Sequence, residues 1–358
     1  VALDDTCVLF IDGGTTRTRG WAVVGEEIIA TARVTVGARD TAREGSSRRL
    51  SETVRHLVHD IEERCGARRR PAPALAVAAG MITSAEGLAE VPHVEAPAGV
   101  RELARAARCH TLSELGSVPI VLVPGIRTGP ARADPETIGA SDIMRGEEAL
   151  SLGLAVRGHL SGGGVVLSLG SHWKAIHVDA SGRVAFSVST LSGEMLQAVR
   201  TRSILATAVP PGWPSTLPPD WLAAGAGRAR ADGWPRALYC VRLLHQRTSS
   251  SPEDRLAFMV GATIVASEDV LLPAGTPEAS RVVLVGAPIL AEAWARVLRE
   301  RGLDPAPIDE EEKDAAFRAG CRAVLAAGEL IDRGAAGPGV EWRPPPLLHE
   351  APRPFRES

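Results

Sequence analysis

The sequence predicts an α/β protein made of two similar units, and three observations carry that prediction. The apolar run from Cys7 to Ile11 ends at Asp12, then Gly13-Gly14 and the hydroxyls of Thr15 and Thr16, and an extended run resumes at Trp21. The second half repeats the design, with Val165 to Leu169, the turn Gly170-Ser171-His172, and Trp173 to Val178. In each half a third strand follows the hairpin, and helices then alternate with further apolar strands, the pattern of layered α/β domains. No residue-level repeat links the halves, so only the architecture recurs.

Composition bounds the function. A chain of 358 residues is comfortable as two domains, and it can bury roughly three quarters of its extended surface without a disulfide or metal staple. A net charge of −3 and a pI near 6.4 give no electrostatic footprint for nucleic acid or an anionic membrane. The five cysteines (Cys7, Cys65, Cys109, Cys240, Cys321) are far apart and lack a C-x-x-C pair, so they read as reduced thiols of a cytoplasmic protein. No leader pattern opens the chain and no apolar run is long enough to span a bilayer, so a soluble protein is expected. A homodimer is left open. Lysine occurs only at Lys174 and Lys313 among 40 basic residues, and asparagine is absent. Arginine abundance therefore says little about function, whereas a retained lysine is worth following.

Taken in order, Glu27 to Val36 alternates as a third strand. Leu50, Val54, Leu57, Val58 and Ile61 recur at helical spacing, which predicts an amphipathic helix begun near Ser46 or Ser47 and stopped at Gly66. Leu75 to Ala79 is a buried strand, Gly99 to Ala107 a helix, Ile120 to Val123 a strand, and a helix carries Arg145 to Leu150. After the Gly162-Gly163-Gly164 hinge come the second hairpin, a third strand from Val184 to Ser189, and a helix from Leu191 towards Ile204. Pro210 to Pro235 has no period and reads as a long surface excursion, a candidate lid. Helices follow over 236–246 and 252–270, then the strand Arg281 to Val285, the turn Gly286-Ala287-Pro288, and helices over 290–301 and 314–331. Domain boundaries are expected at 1–155 and 156–333, with a loosely held Pro/Arg-rich tail over 334–358.

The two Gly-rich turns are where chemistry is expected. Backbone N–H groups and hydroxyls in such a turn point into one concavity that suits phosphate oxygens. A carboxylate at the strand end, Asp12, suits a hydrated Mg²⁺; the competing reading is a turn cap. Neither turn is a P-loop, because no G-x-x-x-x-G-K-[ST] occurs, so a phosphate site must come from two facing hairpins. Gly13, Gly14, Thr15 and Thr16 would line one side and Gly170 and Ser171 the other.

Six stretches carry a resemblance to a known family: Ile11 to Thr16, Ala79-Gly80-Met81-Ile82, Asp142 to Glu148, Gly170 to Lys174, Leu191-Ser192-Gly193-Glu194, and Phe317-Arg318-Ala319-Gly320. In this order and spacing the chain resembles the 2-dehydro-3-deoxygalactonokinase family of the actin/hexokinase superfamily. The resemblance covers Val8 to about Leu330. It implies two ribonuclease-H-like (actin-like ATPase) domains, each a mixed five-stranded sheet flanked by helices, with ATP between them. It also implies a kinase acting on the 6-hydroxyl of 2-dehydro-3-deoxy-D-galactonate with ATP and Mg²⁺. Three departures stand out: Gly13 replaces the family's usual tryptophan, Ser171 stands where threonine is usual and keeps the hydroxyl, and Ala175 stands where another tryptophan is expected, with Trp173 nearby.

Roles follow from that resemblance. Val282 to Gly286 is similar to the superfamily's adenosine-side segment, where Gly286 permits close backbone approach to a base; a plain strand-to-helix turn is the alternative. Related exopolyphosphatases start a helix at the active site with Gly-x-Glu-Glu, which makes Glu147 the candidate base and leaves Glu148 to the helix dipole. Asp142 is the second candidate base. Arg17, Arg145, Lys174 and His172 are the substrate-side candidates, the three cations as clamps for a substrate carboxylate, although a lone histidine is more often structural. His59, His93 and His110 have no metal-ligand spacing. Two rival functions remain, an exopolyphosphatase-type phosphohydrolase and a non-catalytic actin-like ATP-binding protein.

Overall fold

The computed structural model describes residues 5–37, 48–112, 116, 118–273, 276 and 280–328. The chain opens with a meander of β1 (Val8–Gly13), β2 (Thr18–Val24) and β3 (Glu27–Val34), followed by helix α1 (Arg48–Ala67) and strand β4 (Leu75–Gly80). Next come β5 (Val94–Glu95), α2 (Val100–Ala106), β6 (Arg108–Thr111), β7 (Pro119–Leu122), β8 (Ile126–Thr128), β9 (Asp142–Met144) and helix α3 (Glu147–Val156). The first sheet runs β3-β2-β1-β4-β7-β6, with β1, β4 and β7 parallel and the meander antiparallel. It has six strands where five were expected. The short β6 pairs antiparallel with β7 at the edge, and four residues are too few to show alternation in sequence.

The second half is built alike. Strands β10 (Gly164–Leu169), β11 (Trp173–Val178) and β12 (Val184–Thr190) form its meander, followed by helices α4 (Ser192–Arg202), α5 (Pro219–Asp232), α6 (Trp234–Arg247) and α7 (Pro252–Leu271). Then come β13 (Arg281–Gly286), α8 (Pro288–Glu300), β14 (Asp304–Pro307) and α9 (Glu310–Ala327). This sheet has the expected five strands, ordered β12-β11-β10-β13-β14. A third, small sheet of β5, β8 and β9 was not foreseen.

The expected surface excursion is a second correction, because its second part is the helix α5. Its buried side is Leu222, Gly225, Ala226 and Ala229, mostly small residues that leave no large-apolar period to read. Those residues let α5 lie directly on α7: a Cβ on Gly225 would fall 1.9 Å from the Phe258 carbonyl oxygen. The expected stop of α1 at Gly66 is met within a residue, whereas its predicted cap, Ser46 or Ser47, lies outside the described residues, as do the 334–358 tail and Ile331.

Helix α9 starts at Glu310, where the Asp309 carboxylate accepts from the Glu312 N–H at 2.8 Å. At two glycines it packs on α3 backbone against backbone. A Cβ on Gly153 would lie 1.7 Å from the Ala316 carbonyl oxygen, and one on Gly320 would lie 1.9 Å from that of Ala149. The Arg157 and His159 side chains hold Glu312 at 2.6 and 2.7 Å beyond the crossing. One apolar cluster joins this helix pair to both sheets, through Val8, Phe10 and Val77 of the first and Val166, Ile176 and Val283 of the second.

Because the crossing is already in contact, Gly320→Ala should destabilise the protein by about 1–3 kcal/mol, the usual cost of overpacking. Gly227→Ala in α5 faces open space and should be neutral or stabilising by up to about 1 kcal/mol. Urea unfolding of the two variants checks the pair, and equal midpoints would overturn the packing argument.

Candidate active site

At the end of β1, the register of the hairpin sets Asp12 opposite Arg19 on β2. Arg19 Nη2 meets Asp12 Oδ2 at 2.5 Å, and its Nη1 meets Asp314 Oδ1 at 2.5 Å and Glu310 Oε1 at 2.9 Å on α9. Burial works against the Arg19 charge, but Asp12, Asp314 and Glu310 more than offset it and raise its pKa. Burial has the larger say at Asp314, whose pKa is raised despite Arg19. The Arg19 guanidinium also lies 5.3 Å from the Trp21 ring. Neither Arg19 nor Asp314 was among the site residues expected from the sequence. A hairpin register would have offered Arg19 as the partner of Asp12, whereas Asp314 is remote in sequence and gave no signal.

Asp12 is next to the start of α3. A Cβ on Gly80, at the end of β4, would lie 3.5 Å from Asp12 Oδ1, and one on Gly146 would lie 3.2 Å from Gly80 Cα. Gly146 has φ 102°, a conformation that glycine tolerates at the N-cap. This bend lets its N–H donate to both Glu148 carboxylate oxygens, at 2.8 and 2.7 Å. Glu148 is fully buried. Desolvation pushes its carboxyl up to about 8, the Gly146 N–H pulls it down and Glu147 pushes it up again. Glu148 is thus a buried acid held mostly protonated at neutral pH, where the sequence suggested a partner of the helix dipole alone.

Glu147 is only half-buried, and its Oε1 lies 3.6 Å from Lys174 Nζ. Lys174, on β11, also donates to the Ile143 carbonyl at 2.9 Å. Two residues singled out separately in the sequence therefore meet across the two halves. Asp142 accepts from Ser187 and Ser189 on β12, at 2.6 and 3.0 Å, two serines on one face of their strand. Arg145 is committed elsewhere: Nη1 donates to the Thr83 carbonyl and hydroxyl at 2.7 and 3.0 Å, and Nη2 to the Val91 carbonyl at 2.8 Å. His93 faces Arg145 through Nδ1 at 3.4 Å. Burial and then the charges of Arg145, Arg127 and Lys174 lower its pKa to about 4, so it is neutral.

The turn residues are placed as strand tips. Thr15, Thr16 and Arg17 are exposed, as are Gly170, Ser171 and His172. Gly14 N–H closes the first turn onto the Arg17 carbonyl at 2.8 Å, and Glu194 N–H caps the second on the Ser171 carbonyl at 2.7 Å. Gly13 has no room for a side chain, since a Cβ there would lie 2.4 Å from Ile82 Cβ. Gly286 pairs with Leu169 across the sheet, and a cavity of about 780 Å³ opens beside the start of α8, lined by Thr216, Pro288, Glu292, Arg296 and Asp309 among others. Among the described residues no group of three or more His, Cys, Asp or Glu could hold a metal ion, and no helix is long and apolar enough to cross a membrane.

A sequence model of the family described as 2-keto-3-deoxy-galactonokinase matches residues 12–324, from Asp12 to the last turn of α9. The chain belongs to this family. It is a sugar kinase, a phosphotransferase with an alcohol acceptor, and uses ATP. It is 26% identical over 333 residues to a Rhizobium meliloti (strain 1021) protein that carries the name 2-dehydro-3-deoxygalactonokinase DgoK1, covering 88% of this chain and 96% of that protein. Its fold matches a crystal structure from Sinorhizobium meliloti, titled with the same enzyme name, at TM-score 0.70 and 24% identity. That match covers 89% of this chain and 98% of the other.

The buried Glu148 gives this kinase a pH signature. Folded, the carboxyl holds its proton up to about pH 8, against an ordinary value of 4.5. Unfolding therefore releases a proton between those values, and stability falls as pH rises across that window. Glu148→Gln lacks this penalty, so its stability relative to wild type should improve from pH 5 to pH 8 in denaturant titrations. A difference that stays constant with pH would rule out the buried neutral acid.

Proposed function

We propose that this kinase transfers the γ-phosphoryl group of ATP to the 6-hydroxyl of 2-dehydro-3-deoxy-D-galactonate, a step of galactonate breakdown in the cytoplasm. The single observation that carries the mechanism is the convergence of Asp12, Gly80, Gly146 and Glu147 at the ends of β1 and β4, beneath Lys174 of the second sheet. We read the two sheets as ribonuclease-H-like domains of the actin-like kind, 1–155 and 156–333, with α9 returning to the first.

The acceptor is a primary alcohol and must lose its proton as the new P–O bond forms. Glu147 is the half-exposed carboxylate at this point and is the base; Glu148 is already protonated, and Asp142 is spent on two serines. The turn hydroxyls and N–H groups of Thr15, Thr16, Gly170 and Ser171 bind phosphate oxygens, and the base of the nucleotide lies beyond Gly286. Asp12 fits a hydrated Mg²⁺: Arg19 takes one of its oxygens, Gly80 leaves space beside the other, and no further protein carboxylate is required. When bound there, Mg²⁺ neutralises phosphate charge. Of the cations considered for the substrate carboxylate, Arg145 and Lys174 are engaged by the protein, which leaves Arg17 exposed at the first turn.

Purified protein is assayed with ATP against a panel of 2-keto-3-deoxy acids. Transfer to the galactonate derivative is expected, and phosphate release without any acceptor would overturn the reading. Glu147→Gln should lower kcat by about 10²–10⁴ with ATP affinity nearly unchanged; a near-native rate would exclude Glu147 as base. Arg17→Ala should raise the sugar-acid KM far more than the ATP KM, and equal effects on both would move Arg17 to the phosphates.

A further inference from the structure

Lys174 is 6% exposed, and an amine that far from water is costly unless its hydrogen bonds and charge are answered. Both partners that answer it lie in the first half of the chain: the Ile143 carbonyl on β9 at 2.9 Å and Glu147 Oε1 at 3.6 Å. The neighbouring strand β12 holds the same β9 through Ser187 and Ser189 on Asp142. Asp142 and Ile143 are therefore gripped in succession by the second sheet. Only three residues separate Ile143 from Glu147. Met144 is buried, Arg145 is fixed to Thr83 and Val91, and Gly146 is pinned to Glu148, so no slack remains along this segment.

We propose that Lys174 is a positioning residue for Glu147, holding the carboxylate in place for proton abstraction only while the second sheet is docked on β9. This rests on Glu147 being the base. It replaces the carboxylate clamp proposed for Lys174 from the sequence, because an ammonium only 6 % exposed, donating to a protein carbonyl and facing a protein carboxylate, is closed off from a substrate. It also ties the base to the contact between the halves. If the second sheet moves off β9, Lys174 leaves and Glu147 loses its only ion-pair partner among the described residues.

The test is steady-state kinetics on wild type, K174M, K174R, E147Q and K174M/E147Q, with ATP and the sugar acid varied in turn. Loss of orientation by about an ångström costs up to roughly a hundredfold. K174M is expected to lower kcat ten- to a hundredfold with both KM values within about twofold, and K174R to recover part of the loss. The double variant should be no slower than E147Q alone, because orientation has no value once the base is gone. A tenfold rise in sugar-acid KM at unchanged kcat would make Lys174 a clamp and overturn the proposal. Losses that multiply in the double variant would overturn it as well. Should K174M fail to fold, K174R carries the test: native kcat with a raised sugar-acid KM sinks the proposal, and reduced kcat with unchanged KM values supports it. A near-native E147Q would sink the base reading itself and the proposal with it, and that outcome is read separately from the K174 variants.

Discussion

Two glycines facing two carbonyl oxygens hold this molecule in register. Where α3 crosses α9, Gly153 abuts Ala316 and Gly320 abuts Ala149, and the absence of side chains lets backbone touch backbone. Helix α9 is thereby returned to the first sheet. Asp314 and Glu310 come within reach of Arg19, which in turn holds Asp12. The same crossing sets the axis of α3, whose first residue is Glu147. The Cys321 thiol is fully buried at the crossing, and desolvation raises its pKa well above the usual thiol value.

Such crowding of carboxylates needs a distribution of charge, and the structure solves it residue by residue. Asp12 is paired with an arginine that it shares with Asp314 and Glu310. Glu148 is held towards its neutral form, because full burial disfavours the ion. Asp142 is answered by two hydroxyls. Glu147 keeps some access to solvent and is partnered by a lysine from the other sheet. Adjacent residues of one helix thus have different chemistry, set by a single turn of backbone that points one carboxyl inward and the other out.

The glycine at position 13 also has a physical account. Ile82 fills the space that a side chain there would need, its Cβ 2.4 Å from where a Cβ on Gly13 would stand. The apolar volume beside the β1 turn is supplied by Ile82, from the turn after β4. Trp173 is likewise core, packed edge to face on Trp294 with ring centres 5.4 Å apart.

The sequence by itself determined the α/β class, the repeated meander, every long helix with a large-apolar stripe, and the family. These features are local: alternation, helical spacing and turn chemistry are written within a dozen residues, and the six motifs lie on such segments. It also nominated Asp12, Glu147 and Lys174 as residues that matter. Helix α5 escaped because alanine and glycine bury well without leaving a hydrophobic period, and β6 because four residues are too short a signal. Only the tertiary structure decided which candidates share a site and what each is free to do. Lys174 and Glu147 are 27 residues apart in sequence and 3.6 Å apart in space, and Arg145 looked like a clamp until Thr83 and Val91 claimed its guanidinium. A side chain's role depends on which of its hydrogen bonds the fold has already used, and that is a property of neighbours that the linear chain does not place.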